Sequence, residues 1–322
     1  MRMEWWAWTL IGVAVLALGG LVAMLIKTVP IARRVYREQL VKTSPDKWGR
    51  VCSAPENEEQ VAMWEAGLAW GEAHADAVSE AAVVSEDGLR LVGQLFRFGG
   101  DRCVVILPGR CECLKYSYYF AEPWRKAGFN VLVVDGRAHG MSEGTCNTVG
   151  GMESRDALTW ANWLVGQGMK EIWFHTICVG SVAAILAMGD PACPSEVTGL
   201  VAEGCFTSFR ETFRRHMIAE KRPRFPVLDL CMHYVRRDIG TDVRKTAPIR
   251  NVGRLTQRAL FLFGERDIFS VPKMSQKLYD RCGSLDKKLV WFPEGGHSHL
   301  RLHDPARYDG AILDFVNKGA EA

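Results

Sequence analysis

Residues 171–188, EIWFHTICVGSVAAILAM, limit what this chain can fold into more than any other stretch. The first half is apolar, aromatic and β-branched, which is strand composition. The second half is small and apolar, which is buried-helix composition. Nothing between the halves can form a loop, so a strand must turn straight into a helix. The residue at such a turn is held in a strained backbone conformation, and its side chain stands above the sheet edge. Here that residue is Cys178, with Thr176 two positions before it and Gly180 two after. Gly180, Ser181 and Ala183 keep the start of the helix slim enough to lie against the strand.

The surrounding pattern repeats this logic. Strands are predicted at 82–84, 89–96, 103–107, 131–134, 171–175, 199–202, 260–263 and 288–292. Helices are predicted at 116–127, 152–165, 179–188, 271–282 and 305–316. Short apolar strands alternating with amphipathic helices imply a mostly parallel sheet with helices on both faces. More than 50 residues separate the strand at 199–202 from that at 260–263, too many for a plain crossover. A helical cap is expected there, at about 206–256.

Residues 5–26 contain no charge for 22 positions. As a helix they would span about 33 Å, enough for a bilayer core. Trp5, Trp6 and Trp8 stand at one end, where indoles favour the interface. A cleaved signal peptide competes with this reading. The only small-x-small site is Ala17-Leu18-Gly19, and the run continues past it. The expected division is an anchor at 1–28, a helical connector at 29–79 and the α/β unit at 80–322. Arg2 alone precedes the run, whereas Lys27, Arg33, Arg34, Arg37 and Lys42 follow it. The positive-inside rule then puts a single-pass protein's folded unit in the cytoplasm. The ten cysteines fit free thiols in a reducing compartment, because they form no paired C-x₂-C pattern and a unit this large needs no disulfide framework. In the connector, Val61, Trp64 and Leu68 define one helical face.

Five segments, in order, carry a resemblance. They are VVILPG at 104–109, DGRAHGMSEG at 135–144, the Cys178 turn, GERDIFSVP at 264–272 and GGH at 295–297. Together they resemble the α/β-hydrolase superfamily, and more narrowly its membrane-anchored bacterial serine-aminopeptidase-like or monoglyceride-lipase-like members. The resemblance covers about residues 80–320. It implies an α/β-hydrolase fold preceded by one transmembrane helix. It also implies a triad of Cys178 as nucleophile, Asp267 as acid and His297 as base. The backbone N–H groups of Arg110 and Val179 would form the oxyanion hole. The positive end of a helix dipole and a neighbouring imidazole both favour a thiolate, so cysteine suits this frame. Three departures stand out: Thr176 for a Gly, Pro108 for a His, and one extra residue after Asp267.

The implied activity is cleavage of carboxylic esters or thioesters through an acyl-enzyme. A serine-aminopeptidase-like peptidase and a non-catalytic binding protein on the same fold are the alternatives. No cofactor is implied, because neither a phosphate-binding loop nor a dinucleotide fingerprint occurs. No metal is implied either, although His297, His299 and His303 lie close in sequence. Ser181 reads as packing, His139 and Ser142 as loop structure, His175 as a core histidine, and Cys111 and Cys113 as ordinary thiols.

Charge is uneven. The whole chain carries +3, but residues 209–254 hold twelve Lys/Arg against five Asp/Glu. Phe209, Phe213 and Met217 repeat every four residues among cations, a basic amphipathic helix. Such a helix could lie on anionic headgroups, or favour an anionic acyl substrate. The net charge gives no reason to expect a nucleic-acid partner. The expected partners are a small acyl substrate and, through the N-terminal helix, membrane lipid.

Overall fold

The computed structural model describes residues 4–318. Arg2, used above for orientation, lies outside them. Eight strands form one sheet: β1 (Val78–Val84), β2 (Arg90–Phe96), β3 (Arg102–Leu107), β4 (Asn130–Val134), β5 (Glu171–Ile177), β6 (Val197–Glu203), β7 (Arg258–Gly264) and β8 (Lys287–Phe292). Their order is β1-β2-β4-β3-β5-β6-β7-β8. The pairs β1–β2 and β2–β4 are antiparallel, and every later pair is parallel.

Alternation along the strands divides the core. In β3, Cys103, Val105 and Leu107 face one apolar cluster, with the Gly151–Gly166 and Val179–Met188 helices. Val104 and Ile106 face the other, with Trp124, Phe129 and the Pro305–Asn317 helix. The expected mostly parallel sheet, covered on both faces, is the sheet observed.

The helix expected at 116–127 is instead three short pieces, Leu114–Ser117, Tyr118–Phe120 and Glu122–Lys126. In the connector, the helix Glu58–Ala73 buries Gln60, Met63 and Gly67. Val61, Trp64 and Leu68 lie at the margin of that face. The cause is Gly67. A side chain there would place Cβ 3.2 Å from both the Lys115 carbonyl oxygen and the Tyr119 nitrogen, so the bare backbone rotates this face inward.

The N-terminal helix runs unbroken from Trp5 to Leu40, about 54 Å at the usual rise. Its apolar first half is exposed. Ala32, Val35, Tyr36 and Leu40, one face at helical spacing, are buried against the cap. The cap lies between β6 and β7 and includes helices Phe209–Ala219 and Val227–Tyr234. Phe209, Phe213 and Met217 point into the same cluster. The Phe209–Ala219 helix therefore turns its apolar side to protein. Its apolar stripe is already covered, and Arg214 and Arg215 pair with Glu211 of the same helix.

Candidate active site

Three loops at the C-terminal ends of parallel strands meet above the sheet. The first is the turn from β5 into the Val179–Met188 helix. Cys178 sits there at φ +52° and ψ −108°, a region costly for any residue but glycine. Its N–H donates to the Glu203 carbonyl at 3.0 Å, which ties the turn to β6. Gly180 is indispensable at this turn. A Cβ there would lie 2.5 Å from the Leu107 carbonyl oxygen of β3. Thr176 is tolerated in place of a glycine because its hydroxyl is absorbed. It donates to the Val201 carbonyl at 3.1 Å and pairs with the Ser181 hydroxyl at 2.8 Å. Ser181 is fully buried and serves that pairing.

The second loop follows β7 and carries Asp267. One carboxylate oxygen accepts the N–H groups of Phe269 at 2.7 Å and Ser270 at 2.8 Å. The other meets His297 Nδ1 at 2.7 Å. The extra residue after Asp267 therefore forms part of the turn that aims the acid. Burial pushes the Asp267 pKa up, but His297 and the two N–H groups outweigh it, so it ends below the ordinary value.

The third loop, after β8, carries His297. Its ring packs on Gly204, where a Cβ would lie 3.1 Å from Cε1. Gly204 has φ +58°, so a side chain is disfavoured there twice over. Burial acts to lower the His297 pKa, while the Asp267 carboxylate and the neighbouring Cys178 sulfur raise it. The result lies well above the usual imidazole value. With Nδ1 held by Asp267, Nε2 is buried without a hydrogen-bond partner among the described residues. The N–H groups of Arg110 and Val179 likewise have no protein acceptor there. Cys178, Asp267 and His297 are thus brought to one place.

Other histidines are committed elsewhere. His299 and His303 both bind the Glu59 carboxylate, at 2.8 and 2.7 Å. His175 is fully buried between Trp124 and Tyr308. Cys113 is buried, and its thiol is pushed up to about 11 by burial, with Asp135 adding to the shift.

Three residues near the site were not singled out in the sequence. His216, on the cap helix, stacks on Phe269 with ring centroids 3.8 Å apart, and Phe269 meets His297 edge-on. Burial lowers the His216 pKa to about 3, and Arg110 and His297 push the same way. Its spacing from Phe209 and Phe213 was the available signal, since i, i+4 and i+7 share a face. Glu112 accepts the Gly109 N–H at 2.9 Å, immediately before the Arg110 amide. Glu203, at the end of β6, has no exposed surface. It accepts from the Tyr308 hydroxyl at 2.5 Å and the Leu300 N–H at 3.4 Å.

A strained cysteine elbow, an aspartate-held histidine and a cap over a parallel sheet edge are the features of the α/β-hydrolase fold, which this chain has. No family model matches the chain. It is 26% identical over 208 residues to the uncharacterized protein YqkD of Bacillus subtilis (strain 168), covering 63% of this chain and 66%, just under two thirds, of that relative. Among solved structures, the Pyrococcus furiosus esterase Pf2001 superposes with a TM-score of 0.64 at 20% identity, over 77% of this chain and 93% of that one. The α/β hydrolase GrgF from Penicillium sp. sh18 gives 0.59 at 17% identity, over 75% and 98%. The esterase EaEST from Exiguobacterium antarcticum gives 0.55 at 14% identity, over 74% and 99%. At these identities the likeness establishes the fold.

Proposed function

We propose that this chain is a membrane-anchored hydrolase that cleaves carboxylic esters or thioesters through Cys178, His297 and Asp267. The observation that carries the reading is the 2.7 Å bond from His297 Nδ1 to Asp267, which leaves Nε2 directed away from the acid and beside the elbow cysteine. In this mechanism Nε2 already holds the thiol proton when Sγ attacks the acyl carbon, in keeping with the raised His297 pKa. The developing oxyanion is held by the Arg110 and Val179 amides. His297 then returns the proton to the leaving alkoxide or thiolate, and an acyl-thioester remains on Cys178. Water, deprotonated by His297, attacks that thioester. The acid leaves and the thiol is restored. Asp267 holds the ring and stabilises the imidazolium throughout. An alkoxide or thiolate leaves more easily than an amine, which is why esters and thioesters rank above amides.

The proposed parts are the anchor at 1–28, the connector at 29–79 and the catalytic unit at 80–322, with its cap at about 206–256. The cationic run after the apolar stretch supports a cytoplasmic catalytic unit. Turnover of short p-nitrophenyl esters tests the chemistry. Cys178→Ala should lower kcat at least about a thousandfold, while Cys178→Ser keeps a measurable remnant. Wild-type turnover by the alanine variant would show that Cys178 is not the nucleophile.

A further inference from the structure

The last four carbonyls of a helix have no partner within it. In the Trp5–Leu40 helix all four are satisfied, and the donors are informative. Lys47 Nζ donates to Arg37 at 3.0 Å and to Glu38 at 2.7 Å. The Asn147 N–H donates to Leu40 at 2.9 Å. The Gln39 carbonyl is taken by Arg110, whose Nη1 donates to it at 2.9 Å across 71 residues of chain. Arg110 is the residue whose amide, without a protein acceptor, is the proposed oxyanion donor. A guanidinium also suits this place electrostatically, because a cation at a helix C-terminus meets the negative end of the dipole.

The rest of the turn is fastened too. The Gly109 N–H is held by Glu112 at 2.9 Å. The Arg110 carbonyl lies 2.7 Å from His139 Nε2, and His139 Nδ1 lies 2.8 Å from the Arg137 carbonyl. Two carbonyls accept and neither donates, so a neutral ring can hold only one of them at a time. Burial lowers the His139 pKa, which keeps the ring neutral. The ring itself is fixed by Trp48, stacked at 4.5 Å and 11°. A neutral His139 therefore tethers the Arg110 peptide only in the tautomer that carries its proton on Nε2, whereas the guanidinium grip on Gln39 depends on no tautomer.

We propose that Arg110 is a positioning residue whose side chain uses the foot of the anchor helix as a fixed post, and so sets the aim of its own backbone N–H at the oxyanion. This rests on the reading of that N–H as an oxyanion donor. The segment between the apolar run and the sheet is then part of the catalytic apparatus rather than a tether.

The test uses the full chain in detergent micelles, with Arg110→Met, Arg110→Lys and, as a control, Arg34→Gln. Arg34 is exposed and bonds Glu38 on the helix surface. Each is assayed for short-ester kcat and KM, for the iodoacetamide alkylation rate at Cys178 mapped by mass spectrometry, and for thermal midpoint. Alkylation needs the thiol but no oxyanion hole. Arg110→Met should lower kcat by roughly ten- to a hundredfold. KM should stay within about twofold, and the alkylation rate and midpoint should not change. Arg110→Lys should restore most of kcat, because an ammonium can also donate to Gln39. Unchanged kcat in Arg110→Met overturns the proposal. So does a fall in kcat accompanied by equal falls in alkylation and midpoint, which marks a merely structural role. Wild-type turnover by Cys178→Ala overturns the underlying hydrolase reading instead.

Discussion

The shelf that carries Cys178, Asp267 and His297 and the seam between the N-terminal helix and the cap are built by opposite means. On the shelf, each side chain is set by its own turn: Gly180 against Leu107, the Asp267 carboxylate on the next two N–H groups, Gly204 under His297. At the seam, Ala32, Val35, Tyr36 and Leu40 meet Phe209, Phe213, Val227 and Tyr234 from nearly 200 residues away, and directional bonds are few. The shelf depends on geometry and tolerates little change in shape. The seam depends on apolar area, which is proportional and forgiving until a charge is introduced. Arg110 joins the two, with its amide on the shelf and its guanidinium on the seam.

The largest effect that separates them should come from Asp267→Asn. The carboxylate that orients His297 and stabilises its charged form is lost, while the fold keeps a near-isosteric side chain. We expect kcat for short esters to fall by roughly a thousandfold or more, with little change in thermal midpoint. The His297 pKa, read by NMR titration, should fall as well, because its main raising influence is gone. A kcat within tenfold of wild type would mean that the shelf does not depend on this pair.

This division also decides what could be read from the chain alone. The shelf was legible because its devices are local. A strained turn needs Gly180 two residues on, and an acid turn needs its own N–H groups within three residues. The sheet was legible because buried strands have a short period. The seam was not. The spacing of Phe209, Phe213 and Met217 identified an amphipathic helix, but whether its stripe faced lipid or protein depended on a helix far away in sequence. Likewise Arg110 was read for its amide alone, because nothing near it in sequence announces Gln39 as the acceptor. Glu203 was missed because its partners, Tyr308 and Leu300, are about a hundred residues away and touch it only once β6 is paired.

Breaking the seam gives the next effect. Val35 is 4% exposed among apolar side chains. Val35→Asp would bury an unpaired carboxylate, at a cost of roughly 3 kcal/mol or more. The loss should be local. Hydrogen exchange should quicken in the Val227–Tyr234 helix and at the C-terminal end of the Trp5–Leu40 helix, while β3, β5 and β6 keep their protection. Equal loss of protection in the sheet would show that seam and shelf unfold as one unit.

The smallest effect should come from Glu203, which belongs to the shelf but is held by distant partners. Its donors form a chain of fixed direction. Trp124 can only donate, so His175 Nδ1 accepts, His175 Nε2–H donates to the Tyr308 oxygen, and the Tyr308 hydroxyl donates to Glu203. Burial lifts the Glu203 pKa to about 7, even though the Tyr308 hydroxyl, the Leu300 N–H and His297 act against it. The folded state therefore holds this proton more tightly than the unfolded chain. Between the ordinary carboxylate value, about 4.3, and about 7, the folded state carries more protons, so stability falls as pH rises through that window and levels off above it. His297 is raised too, but its stabilising contribution is full below about 6.5 and is lost only as pH climbs through its higher folded value. Asp267 is lowered, and its contribution is lost only as pH falls below about 3.9 toward its folded value. Asp156, lifted to about 6 by burial, and Glu112, also raised by burial, act in the same sense in this window, while the buried His139, His175, His216 and His299, all lowered by burial, act in the opposite sense, so the Glu203 part is read as a difference between variant and wild type. Glu203→Gln keeps an acceptor for Tyr308 and cannot titrate, so its thermal midpoint minus that of wild type should rise as pH goes from about 4.5 to about 6.5. If the two pH profiles are parallel, Glu203 titrates alike in the folded and unfolded chain, and the chain from Trp124 ends on an ordinary carboxylate rather than on one that burial keeps protonated.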